Sequence, residues 1–363
     1  MALGPQITVD SRSLRGRGAV SNLSGRYERE TRTLVDDGWT RDDEAPPPLK
    51  TQVLRDSSRT IITRNNSPDI SFDRSINPYK GCEHGCIYCF ARPTHAYLGL
   101  SPGADFESRL FAKPNAAELL RAELSAPGYI PKVIAMGTNT DPYQPIEREM
   151  GITRSILEVL REFNHPVGIV TKSPLILRDV DILGPMAEKG LAKAALSITT
   201  LDRKLARTME PRAATPQRRL DAIRGLSAAG IPASVMCAPM IPALNDDEME
   251  NILAAAAKAG ASSAGYVLLR LPLEIKDLFR EWLETNVPGR AKHVMTLVRQ
   301  MRGGRDYDSQ WHTRMKGTGP YAEMMAQRFQ LAIRRLGLNR TRVPLNVSEF
   351  KKPPAAGDQL SLL

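Results

Sequence analysis

The sequence predicts an α/β chain whose core is a partial (β/α)6 barrel. Short continuous apolar runs alternate with amphipathic helical stretches, the pattern of a parallel sheet covered by helices. Six such units can be counted, too few to close an eight-stranded barrel but enough for an open, curved one. A crowded cysteine run, Gly81-Cys82-Glu83-His84-Gly85-Cys86-Ile87-Tyr88-Cys89-Phe90, follows the first of the six strands. In parallel sheets ligands gather at the C-terminal strand ends, which is where this loop belongs.

Residues 1–50 read as a disordered tail: eight basic and eight acidic residues balance, apolar residues are sparse, and the stretch ends near Pro46-Pro47-Pro48. Residues 51–74 form a lead-in, with short extended pieces at 61–62 and 70–72. The core domain spans 75–286. Its first strand is read at Ser75-Ile76 and feeds the cysteine loop. The second strand is 132–136, followed by a helix over 147–163 with Ile152, Ile156, Val159 and Leu160 on one face. The third strand is 167–171, followed by a helix at 175–189. The fourth is 194–199, with helical segments up to Ala229. Gly230-Ile231-Pro232 then breaks the chain and opens the fifth strand, 233–237. Asn245 stands as an N-cap for a helix over 246–259. The sixth strand is 265–269. Residues 287–363 are read as a basic helical extension, with one helix over 321–336.

The chain of 363 residues is 42% hydrophobic, enough for a sizeable core. No apolar run is long enough to span a membrane, and the N-terminus lacks the pattern of a secretory signal. Three of four cysteines are crowded together, which is no disulfide framework and fits a reducing cytoplasm. The net charge is +10, and residues 287–363 hold 14 Lys or Arg against 5 Asp or Glu, so they carry +9 of it. Tyr307, Trp311, His312, Tyr321 and Phe329 are interleaved with these cations. Aromatic rings beside positive charge suit base stacking and phosphate contacts, so nucleic acid is the expected partner of this region. The alternative is a helical cap with a solvated charged face.

The cysteine spacing is C-x3-C-x2-C. Three thiolates on one short loop can hold three irons of a [4Fe–4S] cube and leave the fourth iron open to a small molecule. Gly81 and Gly85 relax the backbone around such a cube. The competing reading is structural zinc held by the three cysteines and His84.

This loop, with Tyr88 just before its last cysteine and a βα series after it, resembles the radical S-adenosylmethionine (SAM) superfamily. The runs Asn77-Pro78-Tyr79-Lys80-Gly81-Cys82 through Arg92-Pro93 and Thr138-Asn139-Thr140-Asp141-Pro142-Tyr143-Gln144-Pro145 resemble its branch related to spore photoproduct lyase, a DNA-repair enzyme (SplB-like proteins). The resemblance implies a [4Fe–4S] cluster on Cys82, Cys86 and Cys89, and SAM chelated by the open iron. It also implies a reducing electron donor such as flavodoxin or ferredoxin, and a 5′-deoxyadenosyl radical that abstracts hydrogen from substrate. Residues are placed accordingly. Tyr88 is expected near the adenine, Thr138, Asn139 and Asp141 near the methionine amino group, and Lys172 at the methionine carboxylate. Ser197 and Thr199 are expected at the ribose or carboxylate. The lyase has a hydrogen-donating cysteine after its second strand, where this chain has Thr138. Cys237 is therefore the candidate donor, its alternative being a buried thiol in an apolar strand. Two other functions stay open: a radical enzyme acting on a small molecule or a protein, and a non-catalytic Fe–S or zinc protein.

Overall fold

The computed structural model describes residues 14, 16–28, 48–341 and 344–354. The described residues form ten strands: β1 (Gln52–Arg55), β2 (Ile62–Arg64), β3 (Arg74–Ile76), β4 (Tyr79–Lys80), β5 (Arg109–Ala112), β6 (Ile134–Met136), β7 (Val167–Thr171), β8 (Ala192–Ser197), β9 (Ala233–Met240) and β10 (Ser263–Leu268). Seven of them make one open sheet in the order β10-β9-β8-β7-β6-β3-β2. The six expected strands are its parallel members, β3 and β6 to β10, and β2 adds an antiparallel edge against β3.

The parallel register follows from composition. β3 and β6 are buried on both faces, and β7 alternates buried and half-buried residues. Helices Ile152–Glu162, Val180–Glu188, Pro216–Ala228 and Met249–Lys258 cover the outside, and their apolar residues join the strands in one large core. Burial of such side chains is worth about 1.5–3 kcal/mol each.

Several boundaries differ from the sequence expectation for local reasons. The expected helix 147–163 is two, Glu147–Met150 and Ile152–Glu162, because Gly151 adopts a left-handed φ of 64° and ends the first turn. Asn245 does not cap the helix after it. Its Oδ1 accepts from Ile241 N at 2.7 Å and its Nδ2 donates to Thr199 O at 2.7 Å, so it ties the turn after β9 to the end of β8. Residues 70–72 form no strand. A small sheet, β1-β5-β4, was not foreseen; β1 is exposed at all four positions and so has no alternation to read.

The described parts of the expected tail and of the basic extension pack onto the core domain. Within the expected tail, residues 16–28 are docked, with Ala19, Ser21 and Asn22 buried. Apart from residues 14 and 48–50, the remainder of that tail lies outside the described residues. In the basic quarter, Val294, Met295 and Val298 of helix Pro288–Gln300 share an apolar cluster with Cys86, Ile87 and Tyr88. Helix Pro320–Leu336 packs Phe329 against Tyr266 of β10.

Candidate cluster and cofactor site

β3 and β4 deliver the chain to the cysteine loop, whose Gly81 and Gly85 adopt φ of 78° and 67°. The loop is fixed mainly through its own backbone. Cys82 N donates to Phe106 O at 2.9 Å and Ile87 N to Met209 O at 3.0 Å. Gln144 bridges its start, accepting from Glu83 N at 2.9 Å and donating to Gly81 O at 3.2 Å. Arg92 is fully buried beneath it and donates to Cys86 O at 2.9 Å, Gly85 O at 3.0 Å and Gly103 O at 2.9 Å. Its charge is matched by buried Glu107. Glu107 in turn accepts from Gly18 N and Ala19 N, both at 2.8 Å. A Cβ on Gly18 would lie 1.8 Å from Gly85 O, so only glycine lets residues 16–28 cross so close to the loop.

Cys82, Cys86 and Cys89 border one cavity of about 260 Å³ at the C-terminal ends of the parallel strands. The same cavity is bordered by Tyr88, Thr138, Asn139, Asp141, Lys172 and Ser197. Residues 138 to 141 are held from below by Asn77, whose Oδ1 accepts from Asn139 N at 3.2 Å and Thr140 N at 3.4 Å. Asp141 Oδ1 accepts from Thr171 Oγ1 at 2.7 Å and Tyr143 N at 2.9 Å. Its Oδ2 accepts from Lys172 N at 2.8 Å and lies 3.3 Å from His84 Nδ1. Burial would raise this carboxyl, but His84 and these donors hold it down at about 2. With both oxygens doubly engaged, Asp141 is the anchor of the loop rather than a free partner for an ammonium group. Among the described residues the Thr138 and Asn139 side chains form no hydrogen bond, which leaves them to a ligand.

Lys172 Nζ donates to Ser197 Oγ at 3.3 Å and lies 5.7 Å from the centre of the Tyr88 ring. Burial works to lower its pKa, but the Cys86 thiol and Glu210 raise it, so the ammonium stays charged. The Tyr88 hydroxyl does not point into the cavity. It donates to Glu210, which also accepts from Thr199 Oγ1 at 2.6 Å and pairs with fully buried Arg219. Despite its burial Glu210 is held at about 2 by Arg219 and Lys172. Thr199 therefore stands behind the cavity wall and orients Tyr88, and it does not border the ligand space.

Cys237, like Thr199, is an expected site residue that does not border the cavity. Along β9, Met236 and Ala238 border the cavity, and the two-residue period turns Cys237 to the opposite face. There it is fully buried in the main core, and burial pushes its thiol up to about 12. A thiol sealed in that core cannot reach a substrate radical in the cavity.

The donors fit a cluster. Three thiols border the cavity, with the weaker thioether sulfurs of Met236 and Met315 on its far wall. Burial, with Asp141 and Cys86 nearby, raises the Cys82 thiol, and burial lifts Cys86 to about 12. Coordination to a cationic centre reverses that, since a bound thiol is deprotonated. His84, the fourth ligand that zinc would need, is turned to Asp141. Among the described residues no three His, Cys, Asp or Glu side chains gather around a single ion. Several wall residues carried no sequence signal: Phe90, which precedes no motif position, and Arg270 and Met315, brought in from distant segments.

The family model of the radical SAM superfamily matches residues 76–256. An uncharacterized protein of Mycobacterium tuberculosis is 36% identical over 237 residues, 65% of this chain and 70% of that protein. One of Methanocaldococcus jannaschii is 27% identical over 239 residues, 66% and 85% of the two chains. Among solved structures, a spore photoproduct lyase complexed with dinucleoside spore photoproduct has a TM-score of 0.55 at 14% identity, covering 79% of this chain and 80% of that one. A mutant of the same lyase has a TM-score of 0.55 at 16% identity, covering 85% and 88%. These structures share the fold. No helix of the described residues is long and apolar enough to cross a membrane. The chain belongs to the radical SAM superfamily of enzymes, whose members carry a [4Fe–4S] cluster and SAM.

Proposed function

We propose that this protein is a radical SAM enzyme that acts on nucleic acid. The observation that carries the radical half is the single cavity shared by Cys82, Cys86 and Cys89 with Lys172 and the free Thr138 and Asn139 side chains. When bound, the cluster and SAM supply one-electron cleavage of the sulfonium and a 5′-deoxyadenosyl radical that abstracts hydrogen. The chain's own groups bind and orient. Lys172 is the cation for the methionine carboxylate, steadied by Ser197. Thr138 and Asn139 offer oxygens to the amino group. The Tyr88 ring, fixed by Glu210 and Thr199, forms the floor. Tyr88, Ser197 and Thr199 are buried, and this side of the site limits the access of water to the reacting centre.

The substrate half is supported by the segment 305–316, whose Met315 borders the cavity. Arg305, Trp311, His312 and Lys316 are exposed along it, a mixture of cations and rings that suits phosphates and bases. The lyase's own repair step is disfavoured as the reaction, because a threonine O–H at Thr138 is a poor hydrogen-atom donor and Cys237 is sealed in the core.

Anaerobic reconstitution tests both halves. About four irons per chain and a low-temperature EPR signal altered by SAM are expected. Release of 5′-deoxyadenosine should rise on adding DNA or RNA. Zinc at one per chain with no iron would overturn the radical reading. Release stimulated by a metabolite fraction and indifferent to nucleic acid would move the substrate to a small molecule.

A further inference from the structure

We infer that Arg270 is the seat of a substrate oxyanion, which on the nucleic-acid reading above is a backbone phosphate. Arg270 follows the end of β10 and borders the cavity next to Phe90. Everything its guanidinium touches is neutral. It lies 4.8 Å from the centre of the Phe90 ring, 3.6 Å from Met315 Sδ through Nη1 and 3.4 Å from Tyr307 Oη through Nη2. The tyrosine contact is long for a hydrogen bond, and a thioether is a weak acceptor. Its Nε is buried and has no hydrogen-bond partner. Among the described residues no carboxylate lies within ion-pair distance of it.

A second arginine stands close by. Arg302 is 3% exposed and donates only to carbonyl oxygens, Leu269 O at 2.8 Å and Thr313 O at 2.9 Å. Burial, and then Arg270 itself against the opposing pull of Tyr307 and Asp308, lower its pKa. Asp308 is occupied by Gln310 N and Thr313 Oγ1. Arg302 thereby clamps the chain after β10 to the segment carrying Met315 and fixes the wall on which Arg270 stands.

The other buried arginines of the site are matched: Arg92 by Glu107 and Arg219 by Glu210. A desolvated cation without a counter-ion, as Arg302 is, is destabilising, and half-buried Arg270 brings a second positive charge to the same wall. The guanidinium fork fits a carboxylate or phosphate with two parallel hydrogen bonds. A ligand oxyanion relieves the mismatch that the protein leaves open. Its position beside Phe90, after β10 and three strands across the sheet from β7, which leads into Lys172, separates this seat from the one for the SAM carboxylate.

The test is a binding measurement that needs no turnover. The full chain, reconstituted with its cluster and saturated with SAM, is titrated with a DNA dinucleotide carrying one phosphodiester and with its neutral methylphosphonate analogue. The charged dinucleotide is expected to bind on the order of tenfold tighter. Arg270→Gln should erase that preference, Arg270→Lys should keep part of it, and SAM affinity should be unchanged in both. Iron content and circular dichroism confirm that the variants are folded. The assignment fails if the wild type shows no preference, if neither dinucleotide binds, if Arg270→Gln keeps the preference, or if that variant loses SAM affinity instead. Absence of SAM cleavage in the wild type would sink the radical reading, and is scored separately from this contrast.

Discussion

Arg92 and Arg270 both stand beside the cysteine loop, yet they are held in opposite ways. Arg92 is fully buried and sealed by Glu107, four loop or turn carbonyls and the crossing of residues 16–28. Arg270 rests on a ring, a thioether and a phenol. The same division runs through the cavity. Behind the cysteine loop the fully buried arginines have their carboxylates, Arg92 with Glu107 and Arg219 with Glu210, while Lys172, half-buried at the cavity, rests on Ser197. On the β10 side the arginines have only carbonyls and soft neutral groups. The first wall is charge-complete and suits parts that must not move. The second is charge-deficient and suits contact with something that arrives.

This comparison can be broken by substitution, and the largest effect belongs to the complete wall. Arg219→Met leaves Glu210 buried and unpaired, and Arg92→Met does the same to Glu107. Each should cost about 3–5 kcal/mol in chemical denaturation. Losses no larger than those of a surface change would mean that the pairs are not structural.

Next in size is an acid effect from buried His95, which lies under the cysteine loop with Nε2 2.8 Å from Arg109 O and no partner for Nδ1. Burial lowers its pKa to about 4, and that of distant His165 likewise. The folded state resists protonation that the unfolded chain accepts. The stabilisation is therefore full above pH 6.5 and lost as pH falls through 4, roughly 3 kcal/mol for each histidine. Unfolding free energies measured from pH 7.5 to 4 should show this slope, and His95→Gln should remove about half of it. An identical slope in that variant would assign the acid sensitivity elsewhere.

Gly18→Ala should follow, at about 1–3 kcal/mol, because its Cβ cannot coexist with Gly85 O. The sharper readout is iron loss to a chelator, which should be faster than in the wild type. The smallest effect belongs to the deficient wall: Arg270→Gln should change stability by no more than about 0.5 kcal/mol. A large loss there would make Arg270 a structural residue and erase the contrast.

The parallel strands were legible because each is a short apolar run flanked by a helical period, and burial on both faces is what such runs require. The thiol loop was legible because its ligands are adjacent in sequence. What pairs across long separations was not. Glu107 meets Gly18 across 89 residues, and no local pattern marks either. Cys237 shows a different limit. Both faces of β9 are apolar, so alternation separates Met236 from Cys237 without telling which of them meets the cavity. Asp141 was found, but its role was not: a carboxylate at a strand end looks the same whether it awaits an ammonium group or is filled by backbone donors. Asn245 misled because a capping residue and a turn-bracing one share the same side chain.

The crossing of residues 16–28 over the cysteine loop also makes a thermodynamic link. Glu107 cannot be satisfied without the Gly18 and Ala19 N–H groups, and the loop cannot settle without Arg92 and Glu107. Whatever stabilises the thiols must then tighten the crossing, and by the same factor the crossing must tighten the hold on whatever the thiols bind. Protease nicking within residues 16–28 becomes a gauge of the loaded state, slow when the centre is filled and fast when it is lost.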